Sequence, residues 1–523
     1  MDTRKPGAPK LAPDATERTV TIDAATLLAV VPPLGYGLHS SIYDNALQEP
    51  ATPIELEAVG IRLLRYPGGG YSDNYHWSNH SLSPFHSGGQ PSAGYIARGS
   101  DFGSYYSLIE AFGGSVMVTV NYGTNLAGTG AGEPKEAAAW VAYANGDPED
   151  ERELGLDGAG NDWHSVGYWA SLRAAAALAT DDGVNFLRIG HPAPLGIKYW
   201  EIGNELFGNG YYGQNFEEDL HAPYDLSAPY DNSGRRGLAS LSGTTYGAGV
   251  VAYAEAMRAV DPSIKVGAVL GTQFDSFGPS WNSAVLAACA ASIDFGIVHF
   301  YPGQDPSSLL AAPRLQIAAS FADLRQRFVD SAGDHAADIE LAVTEVGPGA
   351  SVDWSRYPSV ARHAQGLFAL DAYLTFFAEG ATNVDWLELH NGTFLSDRNS
   401  SRGPAYYGIA LAHLLAAEGD TLVATTSAQG SIVAHAALRA DGSLGILLVN
   451  TQAPASDGSI EPVDVPVTSA GDDFPTSGYR YDYAPLASAP GVIEGPVAMN
   501  QVTTPFTLTL APYQATLVVL GAP

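Results

Sequence analysis

Between residues 34 and 417 the chain repeats one unit eight times: a short apolar run, a stop of glycine, proline or polar residues, and a helical stretch. The runs fall at 34–40, 61–66, 115–120, 198–203, 264–270, 294–300, 339–346 and 381–389. Helices are predicted after them at 53–59, 104–112, 134–145, 245–260, 282–291, 313–328, 360–379 and 405–417. Strands that alternate with helices run parallel, because each helix returns the chain to the same edge of the sheet. Eight such units close on themselves, so the pattern predicts an α/β fold, a (β/α)8 TIM barrel over 32–420.

The pattern changes near residue 421. Runs at 431–438, 444–450, 463–467, 479–483 and 515–520 alternate in polarity with turn residues between them, which predicts a C-terminal β-sandwich over 421–523. The stretch 18–31 reads as one or two further strands that join this sandwich. Residues 1–17, rich in proline, alanine and aspartate, read as a disordered tail. Residues 146–196 read as an insertion or an extended connection packed on the barrel rim, with an amphipathic helix at 168–178.

A barrel presents its chemistry at the C-terminal ends of its strands, so groups that act together are expected at those ends. Lys198-Tyr199-Trp200-Glu201-Ile202-Gly203-Asn204-Glu205 is an apolar strand that stops in an amide and a carboxylate. Ile339-Glu340-Leu341-Ala342-Val343-Thr344-Glu345-Val346-Gly347-Pro348 has the same grammar, with Glu345 at its end. Two carboxylates across a cleft are what glycoside hydrolysis needs: one protonates the leaving oxygen, and the other attacks the anomeric carbon or activates water. The plain alternative is that each glutamate is a solvated surface charge.

Other strand ends carry further candidates. Arg65 precedes Tyr66-Pro67-Gly68-Gly69-Gly70-Tyr71, where three glycines let a backbone come close to a ligand. Arg65 reads either as a structural ion pair or as the cation that keeps Glu345 ionised. His299 and Tyr301 point the same way because strand side chains alternate; a core histidine is the competing reading for His299. Asn121, Tyr71, Trp386 and His390 end their strands or follow them and are candidate substrate contacts.

Composition narrows the partners. With 56 acidic against 25 basic residues the net charge is −31, which excludes nucleic acid and anionic membranes as natural partners. A run of about 18 apolar residues is absent, so no membrane span is expected. The single cysteine, Cys289, lies in an alanine-rich apolar run and reads as a buried inert thiol, which leaves no intrachain disulfide and no cysteine-based metal site. No metal and no cofactor is expected. The acids of the long loop 206–241 match no calcium-loop spacing. The N-terminal residues lack an apolar signal region, so the chain reads either as cytoplasmic or as an exported protein whose signal has been removed, and the second is favoured here.

The motifs Arg65-Tyr66-Pro67-Gly68-Gly69, Tyr199-Trp200-Glu201-Ile202-Gly203-Asn204-Glu205, His299-Phe300-Tyr301 and Thr344-Glu345 occur in the order seen in clan A glycoside hydrolases. Over roughly 20–523 the chain resembles the α-L-arabinofuranosidases of family 51, and in parts families 39 and 79. That resemblance implies a retaining, two-step mechanism with Glu205 as general acid/base and Glu345 as nucleophile. It also implies that Asn204 bonds the sugar hydroxyl beside the anomeric carbon, Tyr301 orients Glu345, Arg65 neutralises it, and His299 lines the pocket. The chain departs from the family at Gly70-Tyr71, at Val346-Gly347, and at Leu38-His39-Ser40-Ser41, where the family carries a glutamate.

The expected function is a retaining glycoside hydrolase, α-L-arabinofuranosidase-like, acting on an oligo- or polysaccharide of plant or microbial origin. The same mechanism on a β-xyloside, a β-glucuronide or an internal β-glucan bond, and a transferase built on the same intermediate, stay open. So does a carbohydrate-binding barrel without activity. A metal hydrolase using His299 and His390 lacks any metal-ligand spacing such as His-Glu-x-x-His.

Overall fold

A computed structural model describes residues 19–83, 85–87, 90–92, 94–208, 219–221, 243–275, 278–303, 305–349, 359–397, 400–454, 461–486 and 491–521. The tail read as disordered and nearly all of the loop 206–241 lie outside these residues.

Eight parallel strands close a barrel in chain order: Tyr36–His39, Leu63–Tyr66, Ser115–Val120, Tyr199–Ile202, Lys265–Val269, Phe295–Phe300, Glu340–Val346 and Asn383–Trp386. Closure is direct, since Trp386 of the eighth strand pairs with Leu38 of the first, and Asp385 with Gly37. The pleat sends alternate residues inward, and the lumen near the site is polar: His39 lies opposite Arg65, Thr119 opposite Glu201, and His299 opposite Glu345. Gly37 is required where it stands, because a Cβ there would come within 1.8 Å of Asp385 Oδ1.

The helices lie outside the strands, and most begin as the sequence predicts. The sixth is longer than predicted. It starts at Pro306, and Pro313, read as its first residue, sits in a π-helical turn, Pro313–Ile317, between two α-helical stretches. A proline inside a helix lacks the N–H its ladder needs, and a widened turn is one way to absorb the loss. In the stretch 146–196 the helix is Val166–Ala174, somewhat earlier than predicted. It is tied to the third barrel helix by Arg173, whose guanidinium donates to the carbonyls of Tyr143, Ala144 and Gly146.

The remaining strands form one curled nine-stranded sheet in the order Ile493–Asn500, Ser477–Tyr483, Ala515–Leu520, Leu444–Asn450, Ile432–Leu438, Thr421–Ser427, Val20–Val30, Val463–Ser469 and Phe506–Leu510. The N-terminal strand joins it between Thr421–Ser427, antiparallel, and Val463–Ser469, parallel. Strand Leu444–Asn450 is buried on both faces, and its side chains divide by parity. Leu447 and Val449 pack into the barrel's core, while Ile446 and Leu448 join Val20, Val465, Leu508 and Val518 in a second core enclosed by the sheet. The architecture is therefore a TIM barrel with a C-terminal β-sandwich that also takes the N-terminal strand. Three of its strands, Thr421–Ser427, Ile493–Asn500 and Phe506–Leu510, were not anticipated. The second of them carries Gly495-Pro496 and survives as an edge strand, where a missing N–H costs least. No described helix is long and apolar enough to cross a membrane. Cys289 is buried, and burial pushes its thiol up to about 12.

Candidate active site

The fourth strand ends at Ile202, and the chain turns immediately through Gly203 at φ 69° and Glu205 at φ 28°. A left-handed backbone is strained for a residue with a side chain. Asp73 holds this turn: its carboxylate accepts from Asn204 N at 3.0 Å and from Tyr122 N at 3.2 Å, pinning the ends of strands three and four together. Burial pushes the Asp73 carboxyl well above the usual range.

Glu345 ends the seventh strand and faces this turn. Ligand-capable atoms of Glu205, His299 and Glu345 all lie within 4.8 Å of one another, so the two carboxylates confront each other across a narrow gap. His299 stands between them, with Nδ1 2.6 Å from Glu205 Oε1, Nε2 3.1 Å from Thr344 Oγ1, and Nδ1 3.5 Å from Glu345 Oε2. Burial opposes a charge on His299, but the two carboxylates outweigh it and raise its pKa above the usual value.

Arg65 is fully buried and its fork is spread over the site. Nε donates to Glu201 Oε2 at 2.6 Å, Nη1 to Glu345 Oε1 at 2.9 Å, and Nη2 to Asn204 Oδ1 at 2.9 Å. Both readings of Arg65 thus hold at once: it forms a structural pair with Glu201 and supplies the cation beside Glu345. Nη1 also lies 3.0 Å from His39 Nδ1, which accepts from it. Burial, with Arg65 and His299 nearby, pushes His39 down to about 3, so its ring is neutral. Thr119 donates to the same Glu201 oxygen at 2.5 Å.

These neighbours decide the state of Glu345. Burial disfavours its charge, yet the charges of His299 and Arg65 and the Tyr301 hydroxyl, which donates to Oε2, outweigh burial and hold it at about 2. Glu345 is therefore ionised at every pH where the protein would work. Because its folded pKa is depressed, its ionic contacts stabilise the fold fully above the ordinary value of 4.5 and lose that effect as the pH falls toward 2.

Of the residues read from the sequence, the structure brings together Glu205, Glu345, Asn204, Arg65, His299 and Tyr301. Tyr71 stands at the rim, edge-on to Tyr43 with ring centroids 5.0 Å apart. Three candidates are corrected. Asn121 is consumed in its own loop: Nδ2 donates to Tyr75 O and lies 3.3 Å from Thr124 Oγ1, and Oδ1 accepts from Thr124 N. Trp386 is wholly buried on the outer side of the wall, against Phe368, with its indole N–H on Thr393 Oγ1 at 2.9 Å, because Asp385 takes the inward position. His390 is pinned by Asp44 at 2.7 Å and serves the wall.

Sequence reasoning missed Glu201, His39, Asp73 and Glu388. Glu201 had a signal, a lone carboxylate between Trp200 and Ile202 in a buried strand. Glu388 had one too, two residues past the eighth strand.

The cluster of Glu205, His299 and Glu345 has the ligand types of a metal site. Both Glu345 oxygens and Glu205 Oε1 are already engaged, however, and a cation would have to sit beside the Arg65 guanidinium that holds Glu345 Oε1. Turnover is accordingly expected to be unchanged after dialysis against EDTA, measured on any substrate the protein accepts.

No protein-family model matches the chain. It is 23% identical over 350 residues, 60% of its length, to a probable alpha-L-arabinofuranosidase C from Aspergillus clavatus, of which 55% is covered. It is 23% identical over 393 residues to an intracellular exo-alpha-(1->5)-L-arabinofuranosidase from Bifidobacterium longum, covering 68% of this chain and 57% of that one. The chain thus spans about half the length of the curated relatives it matches. The alpha-L-arabinofuranosidase of Thermotoga maritima, solved with arabinose, superposes with a TM-score of 0.68 at 19% identity, over 96% of this chain and 99% of that chain. The resemblance to family 51 arabinofuranosidases holds in sequence, and the fold is theirs.

Proposed function

We propose that the chain is a retaining glycoside hydrolase that releases α-L-arabinofuranosyl units from plant or microbial oligo- or polysaccharide. The observation that carries this reading is the approach of the Glu205 and Glu345 carboxylates, whose ligand atoms lie within 4.8 Å of each other. Retaining enzymes hold their two carboxyl groups about 5–5.5 Å apart, while inverting ones leave about 6.5–9.5 Å for a water.

The chemistry then follows from each neighbour. Glu345, held ionised by Arg65, His299 and Tyr301, attacks the anomeric carbon and forms a covalent glycosyl ester. Glu205 gives a proton to the departing oxygen, with His299 Nδ1 2.6 Å from its Oε1. In the second step Glu205 takes a proton from water, which attacks the same carbon and frees Glu345. Asn204 has its Oδ1 occupied by Arg65, so Nδ2 is the atom left to meet a sugar hydroxyl. On the polymer reading we place the chain outside the cell; the Bifidobacterium longum relative, an exo-acting arabinofuranosidase, is intracellular.

A panel of 4-nitrophenyl glycosides tests the sugar: hydrolysis of the α-L-arabinofuranoside ahead of the β-xyloside and β-glucuronide supports the reading. Failure on every member would favour an endo-acting enzyme that needs a longer chain. Glu205→Gln separates the two carboxylates. With 4-nitrophenolate, a leaving group that needs little protonation, the variant should keep most of its bond-breaking rate. On an unactivated oligosaccharide it should lose about 10²–10⁴-fold.

A further inference from the structure

A third carboxyl group stands at the same rim and takes no part in the two steps above. Glu388 follows the eighth strand, whose end is tied to the seventh by Leu387 N donating to Val346 O at 2.9 Å. A Cβ placed on Gly347 would reach both the Tyr301 ring, at 3.6 Å, and Leu387 O, at 3.5 Å, so this strand end flanks the residue that holds the nucleophile. Glu388 Oε2 is fixed from the other side of the barrel seam: Ser41 Oγ donates to it at 2.7 Å and Tyr43 Oη lies at 3.4 Å. Oε1 has no hydrogen-bond partner among the described residues, and the residue, though largely buried, keeps partial exposure.

The charged groups around it are mostly of one sign. Glu345 on strand seven and Asp44 on the first loop both face it, and Asp44 is already paired with His390 at 2.7 Å. The two cations of the site are spent elsewhere: Arg65 on Glu201, Glu345 and Asn204, and His299 on Glu205 and Thr344. Burial, with Asp44 and Glu345 adding to it, pushes Glu388 up to about 7, so its charge appears within the working range of pH.

We propose that Glu388 is a substrate-contacting residue that reads charge: its carboxylate faces the sugar ring beside Glu345, favours the ring as it becomes cationic, and repels a sugar that carries its own carboxylate. The inference rests on the retaining-glycosidase reading and narrows its substrate class to uncharged glycosides. A glycosyl cation gains from each negative charge placed near it, and a uronic acid would bring a further anion to a pocket whose cations are all engaged.

The test is the pH dependence of kcat/KM for the uncharged 4-nitrophenyl glycoside that the parent hydrolyses fastest, from pH 5 to 9. This leaving group needs little proton donation, and the comparison with Glu388→Gln, which keeps His299 and Glu205, isolates the ionisation that belongs to Glu388. The parent should gain about tenfold in kcat/KM through an ionisation near 7, and the matching uronide should not be hydrolysed. Glu388→Gln should lose that ionisation and stay at the low-pH level, with the loss in kcat greater than any rise in KM. A purely structural contact would not move the profile, so identical profiles in parent and variant, or uronide hydrolysis by the parent, overturn the proposal. Glu345→Gln is run alongside: if it turns over like the parent, the glycosidase reading itself falls, and if it is dead while the Glu388→Gln profile is unchanged, only the role of Glu388 falls.

Discussion

Replacing Glu345 with glutamine should abolish turnover, lowering kcat by roughly four orders of magnitude or more on every glycoside the parent accepts. The amide has the shape of the carboxylate; its oxygen can accept from Arg65 while its NH2 donates to the Tyr301 hydroxyl, so the fold should survive. What it lacks is the electron pair of a charged oxygen, and no neighbouring group can supply one. Glu205 is close by, but as the proposed acid/base it would sit on the side from which the leaving group departs. The contrast with Glu205→Gln is the informative part. The nucleophile variant should be inactive with good and poor leaving groups alike, whereas the acid/base variant should discriminate between them. Stopped assays on folded protein, checked by circular dichroism, read both.

Arg65→Met should be the most damaging single change to stability, about 3–5 kcal/mol by denaturant unfolding. The guanidinium is wholly buried between Glu201 and Glu345, and its removal leaves two carboxylates in a closed lumen with their shared cation gone. Lysine should not restore it. One ammonium cannot meet Glu201, Glu345 and Asn204 along three directions as the planar fork does. Any activity left in the variant carries a second signature. With Arg65 gone, the carboxyl of Glu345 rises from about 2, so the acidic limb of the pH–rate profile should move to higher pH.

Which parts of this site could be read from the chain is a question of parity. Glu205, Glu345, Arg65, His299 and Tyr301 were legible because each ends an apolar strand beside glycine, proline or an aromatic pair, and a barrel collects such ends on one face. Position along a strand does not say which side of the wall a residue faces. Moving one residue reverses it, which is why Trp386 was misread and Asp385, next to it, went unnoticed. Glu201 is the converse case, since a charge in the middle of a buried strand is tolerable only with a partner, and Arg65 lies far away in sequence. Asn121 and His390 stop their strands in the expected way, but hydrogen bonds with Tyr75 and Thr124 for the first and with Asp44 for the second, visible only once the loops are folded, had already claimed them. The sandwich was legible as a class and not strand by strand, because Gly495-Pro496 argues against a strand everywhere except at an edge.

The left-handed turn at Glu205 sets folding against chemistry at a single residue. A glycine would adopt that backbone without strain, and relief of this kind is of order 1–3 kcal/mol. The chain therefore keeps an acid at a position where the fold alone would select against any side chain, and drift toward a sturdier but inert protein is one mutation away. On the proposed mechanism what resists that drift is use: residue 205 is then explained by what the protein does, and not by how it stands up.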